Sequence, residues 1–181
     1  MSHRTNLVME LEHLANALVA DAGETTTLSL PSIAERIAKA LGVRNDEVAI
    51  MGVSVRWKHL YFLAPEALKN VGFIPLSSNS ALAARTAKER RPDINNNFAG
   101  SRHVSVFEGV KIGEEAAQAI HKIISAPLLF DGKVVGVIQV SRKGPSAAAA
   151  GPDFTATDLG QVLALCKPLG TLLKHAAGTS E

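Results

Sequence analysis

Polar and aromatic side chains concentrate between positions 77 and 114, and their types suit the binding of a small ligand. Three of them precede a predicted helix, whose N-terminus offers free N–H groups and a positive dipole. Amide, cationic and carboxylate groups follow in a stretch with turn composition, which suits an anionic or amide-rich ligand with a phenylalanine packed on it. The candidate ligand-binding residues are Ser77, Asn79, Ser80, Asn96, Asn97, Phe98, Arg102, His103, Phe107 and Glu114.

The alternative interpretation of the same residues is a turn-rich surface loop with helix-capping side chains. Groups for covalent or metal catalysis are missing from the sequence. Its single cysteine, Cys166, excludes a disulfide within the chain and a cysteine-rich zinc site. The six histidines are scattered without the spacing of paired ligands, and no set of acid, base and nucleophile emerges. We therefore predict a non-catalytic protein without a metal.

Composition favours a folded protein of the cytoplasm. Hydrophobic residues make up 46% of the chain, which excludes the low hydrophobicity of disordered chains. The formal net charge is +2, so overall charge gives no reason to expect binding to nucleic acid or to an anionic membrane. We find no signal-peptide core, and no apolar run approaches the about 18 residues of a membrane span.

The N-terminal region predicts two helices. Four leucines on a 4-3-4 spacing form one stripe of the first helix, which Gly23 ends. The stripe packs either on its own domain or in a helix–helix dimer. We assign residues 1–24 to this helix and a linker, and residues 25–181 to a single domain. The second helix runs from Pro31 to Leu41, with Gly42 as its C-terminal cap. The leucines are Leu7, Leu11, Leu14 and Leu18.

The middle of the chain predicts strands, a helix and an irregular stretch. Branched and aromatic residues predict two strands, from Val48 to Val55 and from Trp57 to Leu63, and a short apolar piece follows at 73–76. Ser80 is expected to cap a helix that runs through Arg90. Residues 93–112 are irregular, and a short helix is expected from Gly113 to Lys122.

A β-hairpin is the clearest local signal. Two apolar runs, Ile123–Phe130 and Lys133–Val140, flank the pair Asp131-Gly132, which is preferred in type I′ turns. A flexible loop is expected from Lys143 to Pro152. The last helix begins near Thr155, where Thr155 and Asp158 resemble a capping box. It has a broad apolar face, formed by Leu159, Val162, Leu163, Cys166, Leu169, Leu172 and Leu173. This order of elements favours an α+β fold with an antiparallel sheet.

From about Glu47 to Lys174 the chain resembles a GAF domain, the small sensory module of phosphodiesterases, phytochromes and bacterial signalling proteins. The resemblance implies a central antiparallel sheet with the terminal helices on one face. Loops and short helices over the other face would form a ligand pocket. The pieces that carry it are Ile74-Pro75-Leu76, the run from Ser80 to Arg85, Arg91-Pro92, Ser125-Ala126-Pro127-Leu128, the run from Val135 to Val140, and Phe154-Thr155 with Asp158-Leu159.

The resemblance also bears on cofactors. Members that bind cyclic nucleotides often carry the pattern N-K…F-x-x-x-D-E, of which Lys143, Phe154 and Asp158 are present here. The pattern is incomplete, so a cyclic nucleotide is possible without being indicated, and Lys143 and Asp158 are expected to form an ion pair. Cys166 lies on an apolar helix face, so no bilin attachment is expected. Free methionine sulfoxide reductases use several cysteines, and this chain has one.

Three functional hypotheses follow. The first is a sensory or regulatory module that binds an unknown small molecule and signals through a partner protein or a homodimer formed by its N- and C-terminal helices. The second is a ligand-free interaction module, with Phe98 and Phe107 filling the pocket. The third is a DNA-binding regulator, because residues 37–48 look like a helix-turn-helix. Asp46 and Glu47 would repel phosphate there, and the branched run after them favours a strand. We therefore expect no nucleic acid and no membrane among the partners.

Overall fold

A computed structural model describes residues 2–20, 29–69, 72–100 and 118–177. Short 3-10 turns lie at Asn45–Glu47, Glu66–Leu68 and Phe98–Gly100. The longer elements, in chain order, are α1 (Ser2–Ala20), α2 (Leu30–Leu41), β1 (Val48–Ser54), β2 (His59–Ala64), β3 (Phe73–Pro75), α3 (Leu82–Glu89), β4 (Asp93–Asn95), β5 (Ile120–Phe130), β6 (Lys133–Lys143), α4 (Ala147–Ala150) and α5 (Ala156–Ala177).

These strands form one antiparallel sheet in the order β3-β2-β1-β6-β5-β4. The predicted α+β fold is confirmed. Helices α1, α2 and α5 cover one face and α3 covers the other, so a separate apolar core lies on each side of the sheet. None of the described helices combines the length and apolar character that crossing a bilayer requires.

The hairpin of β5 and β6 lies between the two cores and contributes side chains to both. Asp131 and Gly132 have φ angles of 52° and 75°, as the predicted type I′ turn requires. Alternate side chains point to opposite faces of a strand. Ile124 and Ile138 therefore pack under the helices α1, α2 and α5, whereas Ile123 and Val137 pack under α3.

Both strands of the hairpin are longer than predicted. Ile120 pairs with Lys143 and Lys122 with Arg142, so the helix expected from Gly113 to Lys122 is wrong over its last three residues. Cross-strand pairing with β6 overrides the local helical pattern there. The loop expected from Lys143 to Pro152 is also partly wrong, since Lys143 belongs to β6.

The alanines of that loop form the short helix α4. The Ser146 hydroxyl caps it by accepting a hydrogen bond from the Ala149 N–H at 3.1 Å. Alanine has the highest helix propensity, which explains why this stretch is not a plain loop. The next helix begins as expected. At the start of α5, Thr155 N–H donates to Asp158 Oδ2 at 2.8 Å and Asp158 N–H donates to Thr155 Oγ1 at 3.2 Å, so the capping box is confirmed.

The N-terminal helix α1 packs against α5 and α2. Leu7 and Leu11 are buried within this chain. This is what we expect if the leucine stripe packs on its own domain. The homodimer stays a prediction. Most of the apolar face of α5 is also buried, but Leu159 is partly buried and Leu163 is 40% exposed. At Gly170 the helix touches the backbone of Leu129 in β5, an approach that leaves no room for a side chain.

Candidate functional site

The predicted ligand-binding residues do not share one environment. Ser77, Asn79 and Ser80 are exposed in the loop before α3. Ser80 does not cap that helix. The helix begins at Leu82 after the N-cap residue Ala81, and no side chain caps it. Ser78 Oγ accepts the Ala81 N–H at 3.1 Å, which closes the turn before the helix. Four predicted residues lie outside the described part of the chain, namely Arg102, His103, Phe107 and Glu114.

Asn96 is a bridge between the end of β4 and the start of α5. Its Nδ2 donates to the Phe154 carbonyl oxygen at 3.0 Å, and its Oδ1 accepts the Phe154 N–H at 2.8 Å. Both ends of the amide are therefore engaged with the protein backbone. Asn96 is better placed to hold these two segments together than to contact a ligand.

Asn97 and Phe98 occupy the turn after that bridge. The Asn97 N–H donates to Asn95 Oδ1 at 2.9 Å, and the Asn97 side chain is exposed. Phe98 is buried and belongs to the core beneath α3. A buried Phe98 is the condition that the ligand-free interpretation named, although Phe107, its predicted companion, lies outside the described residues.

Replacing Asn96 with alanine is expected to destabilise the protein by about 2 kcal/mol, because two buried backbone partners lose their hydrogen bonds. The measurement is the urea midpoint followed by circular dichroism. The matched control is Asn79→Ala, in an exposed loop, which should change stability by less than about 0.5 kcal/mol. Equal effects of the two substitutions would show that the bridge does not contribute to stability.

The structure also contains a buried polar chain that the sequence interpretation missed. It runs from α3 to strands β5 and β6, which form the long hairpin of the sheet. Thr86 Oγ1 lies 2.7 Å from Ser125 Oγ, and Gln139 Nε2 donates to Ser125 Oγ at 3.2 Å. Ser125 and Gln139 are direct partners in the β5–β6 register. Thr86, Ser125 and Gln139 are all buried.

The donor and the acceptor in each of these hydrogen bonds follow from the number of hydrogens that each group carries. Thr86 Oγ1 donates its single hydrogen to the Leu82 carbonyl at 2.9 Å, so it must accept from Ser125 Oγ. Ser125 in turn accepts from Gln139. Among the described residues nothing pairs with the second amide hydrogen or the Oε1 of Gln139, although the side chain is only 6% exposed. Gln139 Oε1 is not one of the fully buried side-chain atoms that lack a partner in the described part of the chain, which are Arg142 Nε, Gln161 Oε1 and His175 Nε2. The hydrogen-bonding capacity of the Gln139 side chain is thus only partly used among the described residues.

Gln139 lies on the face of the sheet that carries the apolar core beneath α3. Ala49 is its partner on β1, and α3 contributes buried alanines to the same core. One signal could have found this group. In β5 and β6 a polar residue interrupts an otherwise apolar run, at Ser125 and at Gln139, and cross-strand pairing around the Asp131-Gly132 turn puts the two opposite each other.

A buried charged cluster joins the end of β6 to the turn before β1. Lys143 is 1% exposed, and its Nζ donates to the Asp46 carbonyl at 2.8 Å and lies 3.6 Å from Asp46 Oδ2. Glu47 accepts the backbone N–H groups of Lys143 and Arg44 at 2.6 and 2.9 Å. Burial lowers the pKa of Lys143, and Asp46 partly opposes that effect.

This cluster corrects one prediction and decides between two others. Lys143 lies against Asp46 and not Asp158, whose carboxylate is occupied in the capping box. The strand expected after Glu47 in place of a recognition helix is confirmed, because Asp46 and Glu47 belong to a 3-10 turn and Val48 begins a strand in the middle of the sheet. A recognition helix is therefore missing from this segment.

Cys166 is a core residue, as expected. Its Sγ donates to the Val162 carbonyl at 3.2 Å, and burial raises the pKa of the thiol to about 12. Such a thiol is a poor nucleophile at neutral pH. Within the described residues no three His, Cys, Asp or Glu side chains come together in a way that would hold a metal ion.

Comparisons with known proteins agree with this architecture. The family model described as "GAF domain" matches residues 27–174. The GAF domain of an Acinetobacter phosphoenolpyruvate-protein phosphotransferase superposes with a TM-score of 0.69 at 14% identity, covering 100% of this chain and 98% of that chain. The corresponding domain from Coxiella burnetii gives 0.66 at 10% identity, with 98% and 96% covered.

A third similar structure is an enzyme. The free methionine-R-sulfoxide reductase from Neisseria meningitidis, solved with its substrate, superposes with a TM-score of 0.64 at 18% identity, covering 97% of this chain and 91% of that chain. At these identities the structural matches show a shared fold. A search of curated proteins gave no significant sequence match.

Proposed function

The chain belongs to the GAF domain family, and on that premise we propose that it is a non-catalytic regulatory module that binds a small molecule on the α3 face of its sheet. GAF domains are generally sensory or regulatory modules, and some proteins with this fold are enzymes. The single observation that supports the proposal is the polar chain from Thr86 through Ser125 to Gln139 in the apolar core beneath α3, where Gln139 makes one hydrogen bond among the described residues.

The remaining hydrogen and the oxygen of the Gln139 amide indicate which kind of ligand would fit this site. Gln139 offers one hydrogen and one oxygen next to each other, so a planar group with an adjacent donor and acceptor completes both bonds at once. Small apolar neighbours on β1 and α3 suit a flat, largely uncharged molecule. The chain from Gln139 through Ser125 to Thr86 holds the amide in one orientation before the ligand arrives.

The β5–β6 hairpin supplies a route from this site to the helices. Gln139 lies between Ile138 and Val140, which pack beneath α5 and its neighbours. A ligand that moves Gln139 therefore shifts the balance between two packings of α5. This change in the packing of α5 is passed on to the second copy in a homodimer or to a partner protein. Leu163 on α5 is 40% exposed and offers apolar surface for that contact.

The enzymatic alternative has a specific obstacle. A reductase that forms and resolves a disulfide within one chain needs a second cysteine, and this sequence has only Cys166. Its thiol is buried and largely protonated at neutral pH. These two properties support a regulatory role over reductase activity.

Native mass spectrometry of the freshly purified protein tests the proposal, together with a thermal-shift screen of metabolites that carry amide, lactam or purine-like edges. We expect a retained small mass or a rise in the unfolding temperature for the wild type, and its loss in Gln139→Met. The substituted protein should still fold, with a change in stability of about 1 kcal/mol, because methionine has a similar size and the hydrogen bond to Ser125 is lost.

Gln118→Met is the matched control, and it should behave as the wild type does. A Gln139→Met protein that still binds would overturn the assigned site. A wild type that retains no mass and responds to none of the metabolites would favour the ligand-free interaction module, which the burial of Phe98 already supports.

A further inference from the structure

The turn between β1 and β2 and the neighbouring strand β3 expose three large apolar side chains at one end of the sheet. Val55 is 85% exposed, Trp57 66% and Phe73 59%. Phe73 pairs with Tyr61 of β2, and its ring stacks on His59 at 4.4 Å between centroids. Large apolar groups exposed together on a folded protein indicate a contact surface.

The charge around these side chains has one sign. The Arg56 guanidinium lies 5.0 Å from the centre of the Trp57 ring, and Lys58 closes the same turn. The sequence contains no Asp or Glu from Val48 to Ala64, nor from Gly72 to Lys88. The overall charge of +2 hides this local separation. We call Val55, Arg56, Trp57, Lys58 and Phe73 the hairpin patch.

The geometry of β3 argues against a peptide that adds a strand here. β3 is the edge strand of the sheet but has only three residues, and the last is Pro75, which has no N–H to donate. Proline on a short edge strand blocks further pairing. The occupant therefore contacts the projecting side chains and not the backbone of the edge.

We propose that the hairpin patch binds the interface of an anionic lipid bilayer. Tryptophan prefers the headgroup level of a membrane, where its ring is half in apolar surroundings. Val55 and Phe73 add apolar surface, and Arg56 and Lys58 pair with lipid phosphates. A fluid bilayer accommodates a projecting turn without needing a complementary pocket. This inference is independent of the ligand proposed for the α3 face.

Trp57 makes the test direct, because it is the only tryptophan in the chain. The full-length protein is mixed with phosphatidylcholine vesicles that contain or lack phosphatidylglycerol. With the anionic vesicles we expect the tryptophan emission to shift to shorter wavelength and the protein to sediment with the lipid. Added salt should weaken both effects, since it screens the cations.

Three variants locate the contact. Arg56→Ser combined with Lys58→Ser keeps the tryptophan reporter and should lower partitioning about 25-fold, from about fivefold per cation. Trp57→Ala, followed by sedimentation, should lower it about tenfold or more. Met9→Ala removes an equally exposed apolar side chain from α1 and should change nothing. Unfolding midpoints of all three variants confirm that they are folded.

Absence of binding to the anionic vesicles overturns the proposal, as does a Met9→Ala protein that loses as much binding as Trp57→Ala. A further result would replace the proposal by another. If vesicles leave the emission unchanged while a polyglutamate peptide shifts it, the hairpin patch is a docking surface for an acidic protein.

Discussion

Replacing Gly170 with alanine should destabilise the protein by about 3 kcal/mol, the upper part of the range for an overpacked core. A Cβ built on Gly170 lies 2.1 Å from the carbonyl oxygen of Leu129 and 2.9 Å from its carbon. Both atoms belong to the backbone of β5, so no rotation of a side chain relieves the clash. Relief requires α5 to move away from the sheet. The gain in helix propensity, about 1 kcal/mol, is too small to compensate.

Gly160 provides the matched control in the same helix. It is exposed, and a Cβ there would meet nothing within 4 Å. Gly160→Ala should therefore stabilise the protein by about 0.5 to 1 kcal/mol through helix propensity alone. The measurement is urea unfolding of both variants beside the wild type. Stabilisation by both substitutions would contradict the close seating of α5 on β5.

Replacing Lys143 with methionine should cost about 3 kcal/mol, the lower end of the range for breaking a buried ion pair. The substitution preserves the length of the side chain but removes the cation beside Asp46. The carboxylates of Asp46 and Glu47 then remain buried, with Arg44 as the remaining cation of this cluster. The control is Lys133→Met, an exposed position on the same strand, where we expect a change below about 0.5 kcal/mol.

The cost of Lys143→Met should also depend on pH. Burial lowers the pKa of Lys143 below the ordinary 10.5, so between the two values the unfolded chain binds more protons than the folded protein. Wild-type stability therefore rises with pH in that alkaline window, relative to the variant. Tyr61, whose pKa burial raises, acts in the opposite direction but is present in both proteins. A difference that shrinks as the pH approaches 10.5 would contradict this assignment.

Local chemistry explains the parts of the fold that the sequence predicted. The Asp131-Gly132 turn and the Thr155–Asp158 capping box each depend on residues within four positions of each other. The same holds for the end of α2, where Gly42 adopts the left-handed conformation with a φ of 71°. Ser80 is the exception, since its neighbour Ser78 supplies the hydrogen bond at the start of α3.

The polar interior was not predictable in the same way. Lys143 and Asp46 are 97 positions apart, and Thr86 and Ser125 are 39 apart, so only the assembled sheet brings each pair together. The pairing of Lys143 with Asp158 was suggested by the incomplete N-K…F-x-x-x-D-E pattern of the family and not by any local geometry. For the candidate site, the types of the polar residues were informative about turns. They did not reveal that Asn96 is engaged with Phe154 or that Gln139 belongs to a buried polar chain.

The alternation of side chains in the β5–β6 hairpin restricts which changes in length the chain can accept. Removing one residue from β6 before Val137 would turn every following side chain to the other face. Gln139 would then meet the leucines of α5, and Val140 would take its place beneath α3. A single deletion would damage both cores at once, whereas the segment from Gly144 to Asp153 lies outside the strands. Insertions and deletions accumulated in evolution should therefore fall in that connection and spare the hairpin.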